Sequence, residues 1–349
     1  MERLEARLRS GMNERGIVGE AQESIIRGIH SFALYGFPES HAASFALIAY
    51  ASAYLKRHHP AAFLTALLNA QPMGFYHPST LLKDAQRHGV ELHPIDVAHS
   101  DWACTLERSE ASAPSVRLGL RYARGLRKEA ALTIEAQRRR APLRSLTDLA
   151  ARVALHRDEL DTLAELGALG SIDPAARTRR SALWQVAALE RDPGSLFAGK
   201  PPQASPSPLP EFTPFETTLA DYRQSGLTVG PHVMAHLRGE LRQRGCLCAA
   251  ELRDAPDGRP VRTAGFVVVR QRPGSAKGFC FLTLEDETGM SNAVLTPRQF
   301  RRFRIPLHTS SIIEIAGPLQ NADGVIHVRV RELLPLAPRE HLPDSHDYH

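Results

Sequence analysis

The sequence predicts an α+β multidomain chain: a helical N-terminal region, a module of short helices that includes a helix-hairpin-helix, and an OB-type β-barrel at the C-terminal end. Three observations predict it. Up to about residue 190 the apolar residues recur at helical spacing. Residues 192–215 (DPGSLFAGKPPQASPSPLPEFTPF) are rich in Pro, Ser and Gly. From about residue 259 the apolar period changes to two. With 349 residues, 43% hydrophobic and 23% charged, the chain is globular and long enough for two or three domains. The expected divisions are 1–95, 96–190, a linker over 191–235 and the barrel over 236–349.

In the first region, Ile25, Ile26 and Ile29 precede a Gly-Phe-Pro break at Gly36 to Pro38. Ser40 can then cap a helix whose Ala/Leu/Ile-rich body runs to about Arg57. Its run AASFALIAYASAYL is apolar almost all round, which predicts burial within a larger body. Pro60 opens a second buried helix, AAFLTALLNA, and Pro78 an amphipathic one that Gly89 ends.

The second region carries the first candidate site. LRYARGLRKEAALTIEAQRRR reads as a helical hairpin with Gly125 at the bend and Ala130 and Ala131 where its arms must approach. A glycine there lets backbone come close to a phosphate, which the N–H groups of the next helix start receive. Arg124, Arg127 and Lys128 add charge. A second hairpin, DELDTLAELGALGSI with RTRRSALWQVAAL, follows. Residues 117–180 hold 14 basic and 8 acidic residues, a net +6, inside a chain whose net charge is only +5. Residues 259–331 repeat that excess with 11 basic and 5 acidic. Two basic blocks suit a binder of phosphate backbone, and two solvated faces are the alternative.

In the last region RTAGFVVVRQR, KGFCFLTLEDETG, MSNAVLTP, SSIIEIAGPLQ and GVIHVRVREL are five candidate strands, with a helical PRQFRRF between the third and fourth. That placement predicts an OB-fold, with a plain β-sandwich as the alternative. Arg270, Arg272 and Lys277 fall on or beside the first hairpin and Phe279 and Phe281 on the next strand. Cations interleaved with rings suit a single nucleic-acid strand. The face shared by Phe279 and Phe281 fits the barrel core equally well.

Other chemistries find little support. Cys104, Cys246, Cys248 and Cys280 lack zinc-knuckle spacing, and of the sixteen histidines His58-His59, His341, His346 and His349 have no partner cysteines or carboxylates at ligand spacing, so no metal is expected on this chain. There is no Gly-rich phosphate loop ending in Lys-Ser/Thr, no Gly-x-Ser-x-Gly and no tight Asp-x-Asp pair on a strand, so no catalytic residue is assigned. Glu285-Asp286-Glu287 precedes Thr288-Gly289, where a turn explains it. No apolar run approaches the roughly 20 residues of a bilayer span, and the first 30 residues are mixed in charge. A cytoplasmic, nucleoid-associated protein without membrane contact is the expectation.

The stretch SFALYGFPESHAASFALIAYASAYLKRHHPAAFLTALLNAQPMGFY (Ser31 to Tyr76) resembles the fingers region of bacterial DNA polymerase III alpha subunits, the C family of DNA polymerases. The match rests on Gly36, Phe37, Ser40 and His41, then Tyr50, Leu55-Lys56 and Pro60-Ala61. GLRYARGL (Gly119 to Leu126) is similar to the segment leading into that family's helix-hairpin-helix domain, and LAELGALGSI with Arg179, Arg180 and Ala182 to its end. SGLTVGPHVMAHLR and the OB-like strands keep the same order. Asn69-Ala70-Gln71-Pro72-Met73-Gly74-Phe75-Tyr76 resembles the error-prone branch used in damage-induced translesion synthesis.

The resemblance implies roles. Ser40 and His41 would contact the incoming nucleotide or templating base. Arg124, Gly125, Arg127 and Lys128, with Arg179 and Arg180, would hold duplex phosphates, and Arg270, Arg272, Lys277 and Phe279 the single-stranded template. Ser195-Leu196-Phe197 resembles the end of a sliding-clamp peptide, with Pro193 where its leading Gln belongs. Clamp and translesion accessory proteins are therefore implied partners beside DNA. The family's palm, whose aspartates bind the catalytic Mg²⁺, would precede Met1, so this part is not expected to polymerise alone or to bind a cofactor. A stand-alone DNA-binding or scaffolding module is the alternative. A tRNA-binding OB module fits the LEDETG strand but leaves Gly36 to Tyr76 unexplained.

Overall fold

The computed structural model describes residues 2–34, 39–74, 76–109, 112–189, 206–322, 325–338, 342 and 346–348. The chain divides into two compact units, Met1–His59 and Pro60–His349. The boundary falls at the Pro60 helix start, not near residue 95, because the two helices after Pro60 pack into the core of the second unit.

The first unit holds α1 (Glu2–Asn13), α2 (Glu20–Leu34) and α3 (Glu39–His58). Arg9 joins α1 to α2 through Glu23 at 2.6 Å, His30 lies 2.7 Å from Glu5, and Met12 and Ile26 are buried. Helix α3 is the predicted apolar helix, but it is not buried: Phe45, Leu47, Ile48 and Tyr50 are all more than half exposed. A helix apolar all round needs cover on every side, and this unit has only three helices among the described residues.

The second unit begins with α4 (Pro60–Asn69) and α5 (Pro78–Arg87). A small sheet of β1 (Leu92–His93), β2 (Thr105–Ser109) and β3 (Ser112–Arg117) follows in the order β1-β3-β2. Then come α6 (Lys128–Arg140), α7 (Leu146–Arg152), α8 (Arg157–Glu165) and α9 (Arg179–Ala188). Leu68, Leu82, Leu120, Ile134, Leu149, Leu160 and Leu163 form a common core under them. The supposed linker contains a helix, α10 (Pro214–Ser225), followed by α11 (Val233–Gln243) and α12 (Ala249–Arg253). Its stop and start signals are orthodox: Thr213 and Glu216 make a capping box, Pro214 stands at the helix start, and Gly226 ends it. The Pro/Ser composition upstream concealed them.

The barrel comprises β4 (Pro260–Gln271), β5 (Cys280–Glu285), β6 (Met290–Leu295), β7 (Ser310–Ala322) and β8 (Val325–Arg329). Between β6 and β7 lie α13 (Pro297–Arg302) and α14 (Arg304–Thr309). The strands pair β4-β5-β6-β8-β7, and β7 returns to β4, which closes a five-stranded ring. Only the β6–β8 pairing in that ring is parallel. The ring answers the OB-fold expectation. The fifth candidate strand breaks at Val330-Arg331 into β8 and β9 (Glu332–Pro338), which extends the sheet beside β7, while β10 (His346–Tyr348) adds to β4. A Cβ at Gly317 would collide with the Arg329 carbonyl, so β7 can approach β8 there only through glycine. Leu282, Leu284, Ala293, Leu295, Ile313 and Val328 fill the interior. No helix among the described residues is long and apolar enough to cross a membrane.

Candidate nucleic-acid interface

Alternation along β5 settles which way its rings face. Cys280, Leu282 and Leu284 are buried in the barrel, so Phe281 takes the outer face, 38% exposed, and Phe279 just before the strand is 37% exposed. The interior alternative for this pair is thereby corrected. Phe281 sits between Val294 of β6 and Gln271 of β4 in the sheet register. Thr283, next on the same face, hydrogen-bonds the Asn292 side chain at 3.3 Å. The β4–β5 loop leads into β5 and reaches α13. Lys277 is exposed and adopts a left-handed conformation at φ 51°, and the Arg272 guanidinium lies 4.7 Å over the Phe300 ring.

Arg270 does not join them. It is 5% exposed and donates to the Ser310 carbonyl at 3.1 Å. It braces the barrel and cannot reach a template strand.

The hairpin at Gly125 has a shorter first arm than expected, a single 3₁₀ turn over Leu120–Tyr122. The bend itself is as anticipated. Gly125 takes φ 78°, open space surrounds the position a Cβ would occupy, and Ala130 and Ala131 are buried where α6 meets its neighbours. Arg124 and Lys128 are exposed, and no side chain caps the start of α6. Arg124 also donates to the Arg223 carbonyl at 2.9 Å.

Three expected cations are otherwise engaged. Arg127 makes a two-pronged contact with Glu159, Nε to Oε1 at 2.8 Å and Nη2 to Oε2 at 2.9 Å, and its main-chain N–H donates to the same carboxylate. Burial would raise the pKa of Glu159, but Arg127 and the N–H groups of Arg127 and His156 overcome it and hold it down at about 2. Arg179 pairs with Asp221 of α10 at 2.7 Å and donates to the Glu165 carbonyl. Arg180 stacks 4.3 Å over Phe212. Arg179 and Arg180 therefore fasten the α10 segment that the sequence presents as linker.

On α3, His41 is exposed and its ring meets Phe45 edge-on at 4.5 Å. The helix starts at Glu39, so Ser40 lies inside the first turn, not before it. The Ser40 side chain, and Leu196 and Phe197, lie outside what the structure describes.

Comparison with known proteins agrees with this geometry. Residues 89–182 match the helix-hairpin-helix motif family and residues 261–336 the family of OB-fold nucleic acid binding domains. The chain is 46% identical over 343 residues to an error-prone DNA polymerase of Azoarcus sp. (strain BH72), covering 97% of this chain and 32% of the relative. The error-prone DNA polymerases of Anaeromyxobacter dehalogenans (strain 2CP-C) and Pseudomonas aeruginosa are 45% and 43% identical, over 96% of this chain and 30% and 33% of theirs. Over nearly its whole length the chain is similar in sequence to error-prone DNA polymerases. It spans about a third of the length of these relatives. A solved asparaginyl-tRNA synthetase from Pyrococcus horikoshii is similar over 27% of this chain and 23% of that one, at 24% identity and a TM-score of 0.24, too slight a likeness to bear on function.

Sequence reasoning missed a buried ionic network that joins α5 and α11 to the barrel. The Glu285-Asp286-Glu287 run does form the turn expected of it: Asp286 accepts from the N–H groups of Thr288 and Gly289. All three carboxylates are also held by arginine, Glu285 by Arg87 at 2.8 Å, and Asp286 and Glu287 by Arg238 at 3.1 and 2.5 Å. Beside them Lys83 donates to the Gly230 carbonyl, and burial pushes its pKa down to about 8. Burial, with Lys83 and Arg87 nearby, pushes the His232 imidazole down to about 3. Partners 48 to 198 residues apart left no local signal. Carboxylates so occupied do not fit the Mg²⁺ site that the family's palm would provide, and no other acidic cluster among the described residues is arranged to hold a metal.

Proposed function

We propose that this chain is the DNA-gripping C-terminal third of an error-prone DNA polymerase acting in damage-induced translesion synthesis. The outer face of β5 and β6 tracks single-stranded template, and the Gly125 hairpin, through Arg124, Lys128 and the uncapped start of α6, takes duplex phosphate. Ser40 and His41 serve the incoming nucleotide, and Leu196-Phe197 the sliding clamp, with translesion accessory proteins as further partners. The catalytic Mg²⁺ belongs to a palm elsewhere in the whole polymerase, so this chain alone does not extend primers.

The observation that carries the reading is the pair of exposed rings, Phe279 and Phe281, on a barrel face flanked by Arg272 and Lys277. Exposed rings on a sheet cost solvation and contribute nothing to the core, whereas base stacking on them is worth about 1–3 kcal/mol per base. Fluorescence anisotropy of the full chain with oligothymidylate, across a salt series, tests it. Phe279→Ala with Phe281→Ala should weaken binding at least about tenfold without altering the far-ultraviolet spectrum. Absence of binding by the wild type at low salt overturns the reading. Primer extension by the same samples would contradict the placement of catalysis elsewhere.

A further inference from the structure

No Asp or Glu occurs between Glu287 and Glu314, yet Arg298, Arg301, Arg302 and Arg304 crowd into seven residues of that interval. All four are exposed on α13 and α14, and none makes an ion pair with a described residue. Like charges this close repel within a Debye length of about 8 Å, so the free chain bears an electrostatic cost here that no ion pair among the described residues relieves. The ridge is also continuous with the aromatic face. Helix α13 leaves directly from β6, whose Val294 lies opposite Phe281, and Arg272 of the β4–β5 loop stacks on Phe300 in the middle of α13. Gly278 in that loop lies against Pro297, at the start of α13.

We propose that the α13–α14 ridge is a second stretch of nucleic-acid track, which takes the phosphate backbone of a single strand as it leaves the rings of β5. The inference rests on the reading of the β5–β6 face as a template site, and adds to it a direction of exit and a longer footprint. The rings hold bases, and Arg298, Arg301, Arg302 and Arg304 hold phosphates beyond them. Arg272 and Phe300 fix the junction between the two stretches. The partner is a polyanion of regular spacing, which matches four guanidiniums, none paired with a described carboxylate, better than a folded acidic protein does.

The test uses the full chain and two oligothymidylates, about 6 and about 16 nucleotides long, the range one OB-fold accommodates. The quadruple variant Arg298→Gln, Arg301→Gln, Arg302→Gln, Arg304→Gln should bind the short oligonucleotide nearly as wild type does. For the long one its salt slope should be shallower by about 0.7 for each phosphate that is no longer neutralised, up to about 2.8 in all. The quadruple Arg→Lys variant, with charge retained, should restore the slope and guards against misfolding of the first. Equal weakening for both lengths would mean a diffuse field and would overturn the track. An unchanged slope for the long oligonucleotide, in a protein where Phe281→Ala still loses affinity, would overturn the track and leave the template face standing. If neither length binds to wild type, the template face fails and the track with it.

Discussion

Residues 117–180 and 259–331 carry the same net charge of +6, and the folded chain uses the two excesses differently. In the first, Arg117, Arg127, Arg138, Arg152, Arg157 and Arg179 each lie within ion-pair distance of a carboxylate. Some of those partners, Glu107, Asp101 and Asp221, lie outside the block. In the second, Arg262 is paired, but Arg272 stacks on a ring, and the arginines of α13 and α14 meet no described carboxylate. Charge counted along a sequence therefore overstates what the hairpin region offers a phosphate, and describes the barrel more faithfully. In the hairpins the short helices need tying together, and arginine bridges do it. The barrel is closed by its own ladder and leaves its loop and helix cations available.

The contrast predicts that substitutions in the two blocks damage different properties. The largest effect is expected at Arg179→Met, which takes from the buried Asp221 carboxylate its ion-pair partner and leaves it the Thr228 hydroxyl, where burial already raises its pKa. Removing one member of such a pair costs about 3 kcal/mol, read as a lower urea midpoint. The affinity of the folded fraction for single-stranded DNA should not change. Arg301→Gln with Arg302→Gln should do the reverse, with stability within about 0.5 kcal/mol of wild type. A variant of Arg179 that weakens DNA binding without losing stability would break the comparison.

Much of this was legible from residues alone. The period-two runs with PRQFRRF between the third and fourth give the barrel and its helix, because alternation on a closed sheet is a local property. Gly125 with Ala130 and Ala131 gives the bend and the close packing behind it. What local pattern could not reveal is pairing at a distance. Nothing near Arg127 announces Glu159, and nothing near Glu285 announces Arg87. Arg270 and Arg272 look alike in sequence, and only the fold shows the first buried against the Ser310 carbonyl and the second exposed in the loop. The apolar circumference of α3 was legible, whereas its cover was not, since burial depends on what packs against a helix and not on its own composition.

A middle-sized effect sharpens the comparison through pH. Glu159 is held at about 2 in the fold against about 4.3 in an unfolded chain, so its pairing with Arg127 stabilises fully above about pH 4.5. That contribution is lost as pH falls towards 2, because the unfolded chain binds the proton first. Allowing for the partial exposure of Arg127, it amounts to about 2 kcal/mol. Glu159→Gln should remove this much at neutral pH and flatten the acid limb of the stability profile, so that the two proteins converge near pH 2. Urea titrations at three pH values suffice. A difference that persists undiminished at pH 2 would mean that the carboxylate acts by shape and not by charge.

The smallest effect is expected at Gly125, and it asks whether the hairpin block has kept any surface for DNA once its arginines are accounted for. At φ 78° an alanine is strained by about 1 kcal/mol, although nothing within 4 Å obstructs its Cβ. That open space is what a phosphate approaching the backbone would need, and a methyl group would stand in its way. Gly125→Ala should therefore lower stability by about 1 kcal/mol and weaken duplex binding several-fold beyond what unfolding explains, with single-strand binding at the barrel unaltered. The single-strand measurement is the internal control, since β5 and its rings do not touch this bend. If duplex affinity falls no further than the folded fraction does, the hairpins brace the chain and the barrel face is where it holds DNA.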